Sequence, residues 1–180
     1  MLLSAADSLL LIVDIQARLL PVMKDGDRVV GNTVRLLQAA GALAVPVLLT
    51  EQYPEGLGAT VPAVRAAAGE APALAKKDFS GYADPVIRAR IADCGRPQVV
   101  IAGIEAHVCV LQTALQLAAA HYRVAVVADA VSSRHADSVA VAGRRMAAAG
   151  ITLATTEMCL FEWLGTAAHP EFRAISRLIK

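Results

Sequence analysis

Three side chains in this sequence have types and positions suited to covalent chemistry: the carboxylate of Asp14, the amine of Lys76 or Lys77, and the thiol of Cys109. Asp14 directly follows the five apolar residues Leu9 to Val13, and a carboxylate there is costly unless it is paired or used. Taken alone it reads first as a turn or N-cap aspartate. Lys76 and Lys77, taken alone, read as a solvated pair, since lysine is mostly exposed. Cys109 stands at the predicted start of a helix over 110–121, where unpaired backbone N–H groups and the helix dipole favour a thiolate. A lysine nearby would depress the thiol pKa further, and the same amides could hold an oxyanion. The alternative for Cys109 is a buried structural cysteine. That reading is kept for Cys94 and Cys159.

These groups can act together only if the fold brings three distant segments to one place. The chain alternates short apolar runs with stretches of helical period. Strands are predicted over 8–14, 45–50, 73–76, 98–103, 123–128 and 151–154. Helices are predicted over 29–42 (closed by Gly41), 85–93, 110–121, 136–149 (ended by Gly150), 157–164 and 170–179. Asp84-Pro85 reads as an N-cap with proline at the first helical position. Glu51 to Gly58, punctuated by Pro54, Gly56 and Gly58, reads as a loop.

Six strands with intervening helices imply a doubly wound three-layer α/β/α sandwich around a six-stranded parallel sheet, with right-handed crossovers. No internal repeat or low-complexity segment interrupts 1–180, which is read as one domain. In such sheets ligands sit beyond the carboxyl ends of the strands, where strand order reverses. Asp14 ends the first strand, Lys76 and Lys77 follow the third, and Gly103 to Cys109 follows the fourth. All fall on the same sheet edge.

Composition narrows the partners. The 180 residues are 56% hydrophobic and 18% charged, with a formal net charge of +1. That balance suits a sheet covered on both faces, with apolar surface left for a subunit interface. It gives no field that would favour nucleic acid or a membrane surface. The cysteines are three and widely spaced, which is not a disulfide framework and fits a reducing interior. No apolar run reaches the roughly 18–20 residues of a membrane span, and no basic residue precedes Arg18 as in a signal peptide. The expectation is a cytoplasmic protein.

Several motifs are set aside. Gly103-Ile-Glu-Ala-His-Val is not G-x-G-x-x-G and no G-K-[ST] occurs, so dinucleotide and P-loop readings fail. His107-Val-Cys109 has no second Cys/His pair at ligand spacing, so no metal or other cofactor is expected. His107 is the one histidine placed near a site, with a hydrogen-bonded structural role as the alternative. Met158, Leu160, Phe161, Trp163 and Leu164 read as core or subunit-contact packing.

Leu10-Leu-Ile-Val-Asp14-Ile-Gln16, Lys76-Lys-Asp-Phe79-Ser80 and Val100-Ile-Ala-Gly103-Ile-Glu-Ala-His-Val-Cys109-Val, in that order, resemble the isochorismatase-like cysteine hydrolases. The likeness spans nearly the whole chain. It is strongest to isochorismatase-domain proteins carrying Thr50-Glu-Gln-Tyr-Pro-Glu-Gly-Leu-Gly58 and Asp129-Ala-Val-Ser-Ser-Arg134. The resemblance implies an Asp-Lys-Cys triad on a Rossmann-like sheet: Asp14 as base, Cys109 as nucleophile and Lys76 as the cation between them. Lys76 is preferred to Lys77 because it stands three residues before Phe79. The resemblance also implies a cis peptide at Ile104–Glu105, aiming the Glu105 and Cys109 N–H groups at an oxyanion. Gln16, Phe79, Tyr82 and His107 are implied as pocket wall.

The function this implies is hydrolysis of a small amide, carbamoyl or ureido substrate through a thioester. The stretch Glu51-Gln52-Tyr53 lacks the histidine of the metal-assisted nicotinamidases, which argues against that branch. Two alternatives stay open. Isochorismatase-type vinyl-ether hydrolysis would survive Cys109→Ala, and a catalytically idle oligomeric binding protein would show no turnover. In each case a small molecule and further copies of the chain are the expected partners.

Overall fold

The computed structural model describes residues 1–180. Its six strands are β1 (Ser8–Val13), β2 (Val47–Gln52), β3 (Ala73–Lys76), β4 (Gln98–Ile104), β5 (Arg123–Ser132) and β6 (Thr152–Ala154). They form one all-parallel sheet in the order β3-β2-β1-β4-β5-β6. The helices are α1 (Gly26–Ala42), α2 (Pro54–Leu57), α3 (Pro62–Ala67), α4 (Pro85–Asp93), α5 (Leu111–Ala119), α6 (Ala136–Ala148), α7 (Thr156–Leu164) and α8 (Phe172–Ser176). A single 3₁₀ turn covers Leu20–Val22, and a π-helical turn, Ala106–Val110, precedes α5.

The two-residue period of the strands divides the core. From β1, Leu10 and Ile12 face a layer holding α1, α3, α7 and α8 through Leu36, Val64, Leu160, Trp163 and Ile175. Leu9, Leu11 and Val13 face the opposite layer, packing with Ile87 and Ile91 of α4, Leu117 of α5 and Met146 of α6. With both faces covered, every residue of β1 and of β4 is buried. Trp163 carries a polar atom into this core and resolves it by donating to Ser8 Oγ at 3.0 Å.

Local signals account for most boundaries. Asp84 accepts from the N–H groups of Val86 and Ile87 at 2.9 and 3.1 Å, with Pro85 at the first helical position. Other expectations shift. α1 ends at Ala42 as expected but begins at Gly26, three residues earlier, and the left-handed residue that follows it is Ala44, at φ 53. β2 extends beyond Thr50 to Gln52, because β3 pairs with it there, Glu51 opposite Ala75 and Gln52 opposite Lys76. β5 runs on to Ser132 across an irregularity in its pairing with β4. The segment after Gly58 forms the unexpected α3, opened by Pro62. The stretch 157–164 divides: Leu160, Trp163 and Leu164 are core, whereas Met158 and Phe161 are exposed.

The strand order reverses between β1 and β4, the switch point at which such sheets bind ligands. No helix is long and apolar enough to cross a membrane.

Candidate active site

At this switch point β1 is followed directly by Asp14, whose φ of 53 turns the chain sharply out of the sheet. Its N–H continues the ladder to the Thr50 carbonyl at 3.1 Å. The side chain is fully buried and both carboxylate oxygens are occupied. Thr50 Oγ1 donates to Oδ1 at 2.7 Å and Lys76 Nζ to Oδ2 at 2.8 Å. Lys76, the last residue of β3, crosses beyond the end of β2 to reach it, and its side chain is as buried as its partner's. Opposite charges removed from water in this way are tolerable only as a hydrogen-bonded pair.

Beside β1, Gly103 in β4 has φ 125, and a Cβ there would lie 2.0 Å from the Val13 carbonyl oxygen. Only glycine lets β4 approach the end of β1 so closely. The Ile104–Glu105 peptide that follows is cis. The Glu105 carbonyl then accepts from the amides of both Val108 and Val110, at 3.1 and 3.2 Å, around the π-helical turn. Cys109 lies within that turn rather than at the opening of an α-helix as expected.

The turn sets the thiol against the buried ion pair. Burial pushes the Cys109 thiol up to about 12, the Asp14 carboxylate acts in the same direction, and the Lys76 ammonium opposes both. The expectation of a depressed thiol is therefore corrected. At 5% exposure the sulfur has lost most of the water that would solvate a thiolate, and one cation shared with a carboxylate does not replace it. The resting group is therefore a protonated thiol set beside the Asp14–Lys76 pair.

Asp14, Lys76 and Cys109 thus meet at one point. The other residues singled out from the sequence take different places. The Glu105 carboxylate turns away to Arg134 Nε at 3.1 Å. The ring of His107 is paired through Nδ1 with Ser133 Oγ at 2.9 Å and borders a groove of about 330 Å³ against α6. Tyr82 stacks edge-on with Tyr122, ring centroids 6.0 Å apart, within the layer of α4 and α5. Phe79 is exposed, and its carbonyl accepts from Lys76 Nζ at 3.2 Å. Gln16 is fully buried as a strut, its Nε2 donating to the Gly58 carbonyl at 2.6 Å. Lys77 is exposed, and its carbonyl accepts from Gln52 Nε2 at 2.8 Å.

Sequence reasoning missed Thr50 and Gln52. Gln52 Oε1 lies 2.6 Å from Lys76 Nζ and 4.0 Å from Cys109 Sγ. The signal that could have found it is the carboxyl end of the second strand, the same criterion that drew attention to Asp14 and Lys76.

Against known proteins, the isochorismatase domain model matches residues 8–158. The zebrafish (Danio rerio) isochorismatase domain-containing protein 2 is 40% identical over 178 residues, covering 98% of this chain and 89% of that protein. Among solved structures, the MAR1 ribonuclease from Caenorhabditis elegans is similar at a TM-score of 0.94 and 35% identity, covering 99% of this chain and 92% of that one. The Escherichia coli YcaC product, described as an octameric hydrolase of unknown specificity, is similar at a TM-score of 0.87 and 27% identity, covering 98% and 95%.

Proposed function

The chain belongs to the isochorismatase family of hydrolases, and on that premise we propose that it cleaves a small amide, carbamoyl or ureido substrate through a thioester on Cys109. The observation that carries this reading is the buried Asp14–Lys76 pair set against the Cys109 thiol. In this reading Asp14 takes the thiol proton as the sulfur attacks the substrate carbonyl carbon. Lys76 compensates the charge left on sulfur. The carbonyl π electrons move to oxygen, where the N–H groups of Glu105 and Cys109 receive them; one such donor is worth about 2.7–4 kcal/mol of barrier. Collapse breaks the C–N bond, and Asp14 returns its proton to the departing nitrogen. A water deprotonated by the same carboxylate then attacks the thioester, the second collapse breaks the S–C bond, and Asp14 returns the proton to the departing sulfur.

The octameric assembly of the YcaC neighbour supports the reading that this chain also works as a homo-oligomer. A low net charge and a lone buried lysine at the site favour a small neutral substrate over a polyanion.

The test is a panel of amides, ureides and carbamoyl compounds, with single-stranded RNA included because of the C. elegans neighbour's name, on the native protein and Cys109→Ala. The expected result is turnover of one of the C–N substrates that falls by more than about 10³-fold in the variant. An acyl adduct on the Cys109 peptide should appear in acid-quenched reactions. Turnover undiminished in Cys109→Ala overturns the thioester and favours vinyl-ether hydrolysis. RNA cleavage without C–N cleavage replaces the substrate class. No turnover of any kind favours the idle binding protein.

A further inference from the structure

Lys76 Nζ has three N–H donors and faces four acceptors. These are Gln52 Oε1 at 2.6 Å, Asp14 Oδ2 at 2.8 Å, and the carbonyls of Asp78 and Phe79, each at 3.2 Å. Four acceptors share three N–H groups, so an N–H that serves the sulfur must be drawn from one of them. The shortest of the four contacts is to Gln52, whose Oε1 also stands 4.0 Å from Cys109 Sγ.

Gln52 is held firmly. Its Nε2 donates to the Lys77 carbonyl at 2.8 Å, which decides which end of the amide faces Lys76. Its backbone is clasped by the Gln16 side chain: the Gln52 N–H donates to Gln16 Oε1 at 2.8 Å, and its carbonyl accepts from Gln16 Nε2 at 3.0 Å. The oxygen between ammonium and thiol is therefore preorganised by three other groups, the Lys77 carbonyl, the Gln16 amide and the Gly58 carbonyl that anchors the clasp at 2.6 Å.

We infer that Gln52 is a positioning residue acting through Lys76: in the resting site its Oε1 holds the ammonium N–H that must turn to the Cys109 sulfur when the thiol ionises. The inference rests on the Cys109 chemistry proposed above. The step balances. The thiol proton passes to an Asp14 oxygen, sulfur keeps the bonding pair, and one Lys76 N–H exchanges Gln52 Oε1 for Sγ. The charged groups facing Cys109 are Asp14 after β1 and Lys76 at the end of β3. On its own turn and beyond, Glu105 is paired with Arg134, and His107 is bonded to Ser133.

The test is the rate at which iodoacetamide alkylates Cys109 in the full-length protein, followed by peptide mapping at a fixed pH near 8. Gln52→Met keeps the length and bulk and removes the acceptor, so Lys76 is freed for sulfur. The rate should rise roughly tenfold, and Gln52→Glu, which adds a competing carboxylate, should lower it roughly tenfold. In a Lys76→Met background, Gln52→Met should change the rate by less than about twofold. Any pattern without both opposite shifts overturns the inference, and so does an effect that persists without Lys76. If Lys76→Met does not fold, the two single Gln52 variants decide alone. Turnover surviving in Cys109→Ala would defeat the thioester reading while leaving this rate pattern untouched, so the two failures are distinguishable.

Discussion

Lys76 Nζ lies 2.8 Å from Asp14 Oδ2, and neither side chain exposes any surface to solvent. At that depth each charge is tolerated because of the other. Lys76→Met leaves the Asp14 carboxylate either ionised without its partner or forced to hold a proton, at a cost of about 3–5 kcal/mol in unfolding free energy. Asp14→Asn strands the ammonium and should cost a similar amount. Joining the two substitutions should recover part of the loss, because neither charge is then left alone. Urea unfolding of the three variants measures this. Strictly additive losses would mean that the pair is not energetically coupled.

The raised thiols order the reactivity of the cysteines. Cys109 and Cys159 are both pushed up to about 12, chiefly by burial. Cys94 is raised as well, by burial and the Asp93 carboxylate against Arg90 and Arg96, but it is only partly buried. Near neutral pH iodoacetamide should therefore label Cys94 first. Labelling of Cys109 should climb with pH from about 7 to about 10 without reaching a plateau. Cys109 reacting fastest at neutral pH, or levelling off below about pH 8, would show that Lys76 outweighs burial.

The same shifts link stability to pH. A folded thiol pKa of about 12 against 9.0 for the free group means that the folded state keeps a proton the unfolded chain gives up. The associated stability is whole below the unfolded pKa and is lost as pH rises from about 9 towards 12, by up to about 1.4 kcal/mol per pH unit for each thiol. Cys159→Ala removes one of these two thiols away from the site, so its unfolding free energy should fall less steeply than the native protein's between about pH 9 and about pH 11. Equal slopes would show that Cys159 ionises as easily folded as unfolded.

How far these features were legible in the sequence depends on what kind of information each required. The placing of Asp14, of Lys76 with Lys77, and of the segment from Gly103 to Cys109 at one edge followed from short apolar runs and a parallel topology that sends every strand the same way, whereas the choice of Lys76 over Lys77 came from the family resemblance. Gln52 was hidden because β2 outlasts its apolar pattern, carried on by pairing with β3. Nothing in Thr-Glu-Gln marks an amide that will meet an ammonium. Side-chain direction was equally inaccessible for Gln16, Tyr82 and His107, which lie close to the site in sequence yet point to Gly58, Tyr122 and Ser133. The thiol was misjudged because a helix start and a nearby lysine both argue for a thiolate. The opposing contribution, loss of water around sulfur, belongs to packing and has no local signature.

The sharpest backbone constraint is at Gly103, and it ties the fold to the site. Its φ of 125 lies where an L side chain is strained, and a Cβ would meet the Val13 oxygen at 2.0 Å, the nitrogen at 2.6 Å and the carbonyl carbon at 2.8 Å. All three are backbone atoms, so no rotamer change relieves the overlap. Gly103→Ala must therefore push β4 away from the residue immediately before Asp14. Left-handed strain and overpacking each cost about 1–3 kcal/mol, so a loss of at least about 2 kcal/mol is expected in urea unfolding. The displacement also moves the Cys109 turn, which follows β4 directly, relative to the Asp14–Lys76 pair fixed by β1 and β3. If the variant folds, the pH at which Cys109 becomes reactive should shift even though no side chain of the site was altered. A Gly103→Ala protein with native stability and an unchanged alkylation profile would show that the strands can slide apart without disturbing the site.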